Sequence, residues 1–504
     1  MHIPKPHRFS RIDPTFAAQC VAVLGLAVVA GLLIVLLDER EMRWKLLVAI
    51  PLLGVVLLAL TAQKKRVLTT FFILSLQVDI YLRFLYGRAG SNEGIAVPLV
   101  VVAGAALLIW YVTAGRVRYF TWGGSMRLPI LLLFATSLLS VATSSERFIG
   151  VTRIWHDAEL YFLYWLTFNL VDSDEAFERI VRLLLVILAT QSAIYFVQSR
   201  TGTTFDFMGD LSDAGSIPRP GGTVSSNPAG FTSFIMPALM ITCAIAIAAG
   251  TLRSRGWMLC LLLLGTMAIG LSFTRAAWIG FALGFTTIVI LGWRRRAISG
   301  RVAFAIAAIA CIGVAALLPT MMTRVSEDYG ALGDTPAAAT LEERWGLARI
   351  AMAIIADHPA TGIGPGAYAQ IFKGYAQGSD QWLFTVHNEF LLRAAETGIA
   401  GATAFAVLLV MAFRIALRLT RGRPSLVSVT ALGWCGALVA LIWQMNWVPW
   451  IGWSYNAMLW VMLGLMDAAQ RIAGNGTALT GDGRWLATRA LSRRGPRQAS
   501  HIPG

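Results

Sequence analysis

The chain has 504 residues, 57% of them hydrophobic and 14% charged, where a soluble globular domain carries about 25% charged residues. With a mean hydropathy of +0.65, a soluble fold is excluded and the chain reads as a membrane protein. The formal charge of +15 suits an anionic partner, but its placement along the chain argues against nucleic acid.

Apolar runs close to the roughly 20 residues that a helix needs to cross hydrocarbon fall at 17–37, 46–62, 67–86, 95–114, 128–142, 159–171, 180–199, 229–250, 257–273, 277–292, 302–319, 399–417, 426–445 and 451–468. They are too long and too continuous for alternating barrel strands, so the expected fold class is all-α, a polytopic bundle of about 12–14 transmembrane helices. Residues 1–16 form a segment before the first span, 17–319 hold the first eleven, 320–398 form a long loop with short interfacial helices, 399–469 hold the last spans, and 470–504 form a basic tail. The tail, rich in Gly, Arg and Ser, is expected to be mobile beside anionic headgroups. The basic start followed by 17–37 lacks a cleavage site and reads as a first span, not a removed signal peptide.

The basic residues lie in alternate loops. Lys64, Lys65 and Arg66; Arg116 and Arg118; Arg253 and Arg255; Arg294, Arg295, Arg296 and Arg301; and the stretch from Arg414 to Arg423 all fall on one parity. That is the positive-inside pattern. It puts both termini in the cytoplasm and 200–228, 274–276, 320–398 and 446–450 outside. Five cysteines, Cys20, Cys243, Cys260, Cys311 and Cys435, all sit in apolar runs without metal-ligand spacing, and read as packing residues. There is no phosphate-binding loop, dinucleotide fingerprint, paired-carboxylate or Ser-His-Asp pattern and no internal repeat, which argues against ATP-driven chemistry.

Polar residues then collect on the external side. Asp79 and Arg83 have i, i+4 spacing within a span, where mutual neutralisation is the plain account. Arg219-Pro220-Gly221-Gly222-Thr223 with Asn227-Pro228 forms a polar turn before a span. Arg275, in Ser272-Phe273-Thr274-Arg275-Ala276-Ala277-Trp278, lies between two apolar runs with almost no loop. It is either a snorkelling anchor or, as ionisable groups at membrane depth usually are, functional. Thr340 and Glu343 have capping-box spacing and open a helix that runs to Asp357-His358-Pro359. Leu341, Trp345, Ala348, Met352 and Ile355 give that helix an apolar face that can lie on the membrane. Arg344 and Arg349 hang from it and by position read as solvated interface residues. His358 reads as a helix C-terminal residue beside the macrodipole, and Gly362, Gly364 and Gly366 permit positive φ and close approach to a ligand.

His387 is expected in the first turn of a short helix that ends at Gly398. A lone His is more often structural than catalytic, but a helix N-terminus favours an anion and keeps an imidazole neutral. Glu396, nine residues on, falls on the opposite face at about 100° per residue, a poor place from which to orient His387. Glu389 and Arg393 read as an ordinary helix ion pair.

His387-Asn388, followed after nine residues by Gly398-Ile399-Ala400-Gly401, resembles the His-Asn-x9-Gly-x-x-Gly signature of the bacterial O-antigen ligase family. The segment around Arg275 resembles that family's Ser/Thr-Arg-Gly/Ala-x-Trp element. Arg344-Trp345 leading to His358-Pro359 and Gly362, Gly364 and Gly366 resembles its Arg helix and Pro/Gly-rich turn. The turn after Arg219 resembles the family's polar turn before a span. The resemblance implies a multi-pass glycosyltransferase of the bacterial inner membrane with a periplasmic site, transferring a glycan with inversion from an undecaprenyl diphosphate carrier. It implies no metal, nucleotide or other cofactor and no nucleic acid.

On that resemblance Arg275 and Arg344 hold the diphosphate and His387 takes the proton of the acceptor hydroxyl. Asn388, Arg219, Gly364, Gly366 and Arg349 are the candidate substrate-binding residues. The acceptor is lipid A-core or another surface glycan, lipid or protein. An O-antigen or exopolysaccharide polymerase and a protein O-glycosyltransferase are the alternatives nearby. A flippase or transporter is the alternative of another class, although transporters tend to place repeated halves and broken helices at the midplane. Ala276 where Gly is common, more spans than the usual twelve and the basic tail depart from the family pattern and leave the acceptor open.

Overall fold

The computed structural model describes residues 63–86, 94–202, 220–225, 227–248, 252–295, 336–376, 385–422, 424–448 and 450–474. Residues 1–16, the spans expected at 17–37, 46–62 and 302–319, Arg219 and residues 475–504 lie outside them. The described part is helical: α1 Lys64–Leu74, α2 Leu99–Thr113, α3 Arg127–Thr143, α4 Arg147–Leu170, α5 Asp174–Thr201, α6 Pro228–Ala248, α7 Leu252–Leu271, α8 Arg275–Arg294, α9 Pro336–Asp357, α10 Tyr368–Tyr375, α11 Glu389–Leu419, α12 Leu426–Met445 and α13 Trp453–Gly474. By length and composition α5, α6, α8, α11 and α12 are able to cross a membrane, and the chain is an all-α polytopic membrane protein.

Local chemistry sets many of the ends. Ser173 caps α5 by accepting from the Ala176 N–H, Asp174 and Glu175 occupy its first turn, and Gly202 closes it at φ 67°, a left-handed cap that glycine adopts without penalty. Ser425 and Ser428 form a reciprocal capping box at α12. α9 opens at Pro336 rather than Thr340, because the fixed φ of proline suits a first helical position.

The span expected at 67–86 is not one helix. α1 stops at Leu74, a 3₁₀ turn follows at Ser75–Gln77, and the chain turns into an antiparallel hairpin, β1 Tyr81–Tyr86 with β2 Gly94–Pro98, pairing Tyr81 with Pro98 and Arg83 with Ala96. The aromatic run Tyr81-Leu82-Arg83-Phe84-Leu85-Tyr86 has strand character. Asp79 therefore precedes a strand that holds Arg83, and the helical i, i+4 relation between them does not exist. The hairpin is tied down by the Asp79 N–H donating to the Thr223 carbonyl at 3.1 Å and the Leu99 N–H to the Ile80 carbonyl at 2.9 Å. The run at 159–171 is likewise the end of a longer helix: α4 starts at Arg147.

α6 is buried on all sides, from Gly230 to Ala246, and α12 is nearly so, so these two form the centre. α8 approaches α12 through Gly284 and Gly436, where a Cβ on either glycine would strike the other's carbonyl oxygen, the small-residue contact that lets membrane helices close up. Outward-facing Leu131, Leu138 and Leu139 of α3 and Ile279 and Leu283 of α8 are exposed, an apolar perimeter suited to lipid. Cys243 and Cys435 are buried packing residues, while Cys260 is exposed on α7. One end of the bundle gathers the close of α3, α5 and α12 and the start of α6, α8, α11 and α13, as the contacts Ser140 with Glu396, Gln198 with Gly222, and Gly280 with Gln444 and Gly230 with Tyr455 show.

Candidate active site

At this end the Gly-rich turn after α9 and the break in α11 interlock. α11 runs continuously by hydrogen bonding except at Gly398, whose φ of 73° and ψ of 173° are not helical. The short helix ending at Gly398 is therefore present as expected. The Ile363 N–H donates to the Ala395 carbonyl and the Gly364 N–H to the Glu396 carbonyl, both at 3.0 Å, and the Ile399 N–H to the Pro359 carbonyl at 2.9 Å. Ser140 donates to the Glu396 carbonyl at 2.6 Å and Ser144 to the Ile363 carbonyl at 2.7 Å.

Gly362, Gly364 and Gly366 have φ of 67°, 117° and 77°. A Cβ at Gly362 would meet the Glu396 backbone, and one at Gly364 the Ser144 hydroxyl. The glycines thus serve close protein packing at this turn. Beneath it Leu347, Ile350, Ala351 and Ile354 of α9 join Tyr368, Phe372, Val386 and Leu392 in a second, smaller apolar core.

Asn388 is the N-cap of α11. Its Oδ1 accepts from the Phe390 and Leu391 N–H groups, each at 3.0 Å, and its Nδ2 donates to Asn446 Oδ1 at 3.1 Å. His387 consequently stands just before the cap and not within the first turn. Its ring is half-buried, and Nδ1 is buried without a hydrogen-bond partner among the described residues. Burial, followed by the positive charge of Arg344, pushes its pKa down to about 4, against a smaller opposing pull from the Thr385 carbonyl. The imidazole is therefore neutral at ordinary pH, with a nitrogen able to accept a proton.

Arg344 is exposed on α9 within electrostatic reach of His387, so the structure brings these two candidates together. Arg349 is also exposed, but five residues on it lies about 140° round the helix and does not converge with Arg344. Trp345 and Met352 are exposed, leaving α9 an apolar outer face beside its buried one. His358 follows the end of α9, exposed, its N–H donating to the Ile354 carbonyl at 2.9 Å.

Arg275 opens α8 directly after a turn in which Ser272 donates to the Ile269 carbonyl and accepts from the Thr274 N–H. Phe273 in that turn has φ 51°, a left-handed conformation strained for a non-glycine residue. Trp278 donates to the same Ile269 carbonyl at 3.0 Å. Arg275 is exposed at the end where α8 lies along the close of α12, whose next residue is Asn446, the partner of Asn388. The polar turn after Arg219 is anchored nearby: Gln191 donates to Thr223 Oγ1 at 2.6 Å and Gln198 to the Gly222 carbonyl at 3.2 Å.

The i, i+4 ion pair expected of Glu389 and Arg393 is present at 2.6 Å, with the Glu389 side chain 1% exposed, and the guanidinium lies 4.2 Å over the Phe405 ring. Arg153 of α4 stands within electrostatic reach of Asp157, Glu396 and Glu389. The Glu396 carboxylate accepts from the Gly366 and Tyr368 N–H groups, so it secures the Gly-rich turn. Arg153, His156 and Asp157 precede the apolar run at 159–171 and Glu159 opens it, so hydropathy passes over them; ionisable residues in register with a span are the signal for them.

No curated protein matches the chain. Residues 259–406, from α7 through the break in α11, match the O-antigen ligase family model. That segment carries Arg275, Arg344, the Gly-rich turn and His387, and over it the chain is similar to the O-antigen ligase family.

Proposed function

We propose that this membrane glycosyltransferase moves a glycan from undecaprenyl diphosphate to an acceptor hydroxyl on the periplasmic face, with lipid A-core or another surface molecule as acceptor. The observation that carries the reading is His387: a neutral imidazole with an unpartnered Nδ1, set beside Arg344 at the end of the bundle where Arg275 also emerges. The acceptor oxygen attacks the anomeric carbon from the side opposite the diphosphate, the bond between that carbon and the diphosphate oxygen breaks with its electron pair leaving on the diphosphate, and the configuration inverts. The imidazole takes the hydroxyl proton. Arg275 and Arg344 neutralise the departing diphosphate, which their planar, permanently charged forks suit. The leaving group is already good, so charge stabilisation and one base suffice without a metal.

Purified protein supplied with a lipid-linked glycan and a candidate acceptor tests this directly. Transfer is expected in EDTA and without nucleotide. Loss in EDTA that a divalent ion restores overturns the metal-free mechanism, and failure of the His387→Ala protein to differ from wild type overturns the base.

A further inference from the structure

The bundle has a second cationic site at its opposite end. α4, 24 residues long and hence about 36 Å from end to end, separates Arg147 at the candidate active site from Leu170 there. Beside Leu170 lies a cavity of 520 Å³ whose lining includes Lys65, Tyr111, Arg116, Asn169, Asp172 and Arg471. Arg471 is held rigidly: both its hydrogen bonds leave from Nη2, to the Phe168 and Val171 carbonyls at 3.0 Å, and the guanidinium stacks 4.4 Å over the Phe168 ring. Arg116 lies 5.6 Å over Trp110.

Among the described residues one carboxylate, Asp172, stands in the lining against three cations, and Lys65 occupies it at 2.8 Å. Asp467, which also acts electrostatically on Arg471, is engaged by the Tyr164 hydroxyl at 2.6 Å and the Ser125 and Met126 N–H groups. The cavity therefore keeps an excess of positive charge. Around it Tyr119 and Trp122 are 69% and 84% exposed, and Ile109 and Val112 are exposed on α2. Aromatic side chains of this kind settle at the headgroup level and apolar ones in the hydrocarbon. A cationic cavity beside a lipid-facing surface fits an anion that carries acyl chains.

We propose that this cavity binds the phosphate of an anionic phospholipid headgroup, with Arg116 and Arg471 as its charged partners and Lys65 shared between the ligand and Asp172. The site is separate from the transferase chemistry and stands or falls without it.

The test is binding of short-chain phosphatidylglycerol to the purified full-length protein in detergent, with phosphatidylethanolamine and inorganic phosphate as competitors. Phosphatidylglycerol is expected to bind at least about 10-fold tighter than the zwitterionic lipid. Arg116→Gln is expected to weaken it by about 10-fold, and Asp172→Asn to keep or tighten it, since it frees Lys65. Both positions are exposed enough to leave the melting temperature near wild type, and His387→Ala is expected to bind phosphatidylglycerol normally. Displacement by inorganic phosphate at equal concentration assigns the same site to free phosphate. Equal affinity of the wild-type and Arg116→Gln proteins, equal affinity for the two lipids, or loss of binding in Asp172→Asn overturns the proposal.

Discussion

A neutral His387 is a chemical statement that titration can check. Its pKa, pushed down to about 4 by burial and then by Arg344, keeps the base form available through mildly acid solution. The acid limb of kcat/KM is thus expected near that value and not near the usual 6.5. Arg344→Gln removes one depressing charge and moves that limb to higher pH. Stability follows the same sign: between pH 6.5 and about 4 the unfolded chain binds the proton first, so the thermal midpoint falls as pH drops through that window. His387→Ala is expected to accumulate normally, bind the donor and lose about 10²–10⁴-fold in transfer, with Glu396→Gln much milder. A greater loss in Glu396→Gln would reassign the base. Arg275→Lys and Arg344→Lys are each expected to lower the rate by about 10- to 100-fold at equal abundance, because an ammonium cannot reproduce two parallel hydrogen bonds. Wild-type rates in both would reduce them to anchors.

At the scale of elements, the Gly-rich turn and the helix break hold each other. Gly398→Ala places a Cβ against the Ala360 carbonyl at a φ of 73°, and is expected to destabilise by about 1–3 kcal/mol from the backbone strain alone. Asn388→Ala removes the cap of α11 and the link to Asn446, an expected loss of about 0.5–2 kcal/mol. Thermal unfolding in detergent measures both, and melting within error of wild type for Gly398→Ala would mean that the interlock contributes nothing. These variants separate a structural from a chemical role. They should lower abundance and transfer together, whereas His387→Ala should lower transfer alone.

For the whole molecule the charge bias predicts that 320–398 lies outside and the Arg294, Arg295 and Arg296 loop in the cytoplasm. A phosphatase reporter fused after Gly378 is expected to be active, and one fused after Arg296 inactive; the reverse would invert the topology and the proposed side of transfer. Much of this architecture was legible in the residues. Apolar length identified α5, α6, α8, α11 and α12, because a helix in lipid must satisfy its own backbone and needs a fixed number of residues to do so. The near absence of a loop between two apolar runs likewise picked out the abrupt turn before Arg275, and Gly398 the break in α11, since few residues besides glycine take its conformation. Hydropathy alone did not reveal the hairpin at Tyr81–Tyr86 or the start of α4 at Arg147, because a window sums apolarity without distinguishing a strand from a helix or seeing a buried charge. Only the tertiary structure decided that Glu389 is buried with Arg393 half-buried beside it and that Glu396 secures the turn. It alone set Arg344 beside His387, 43 positions on in the sequence, since burial and pKa are properties of neighbours brought together by packing and not of order along the chain.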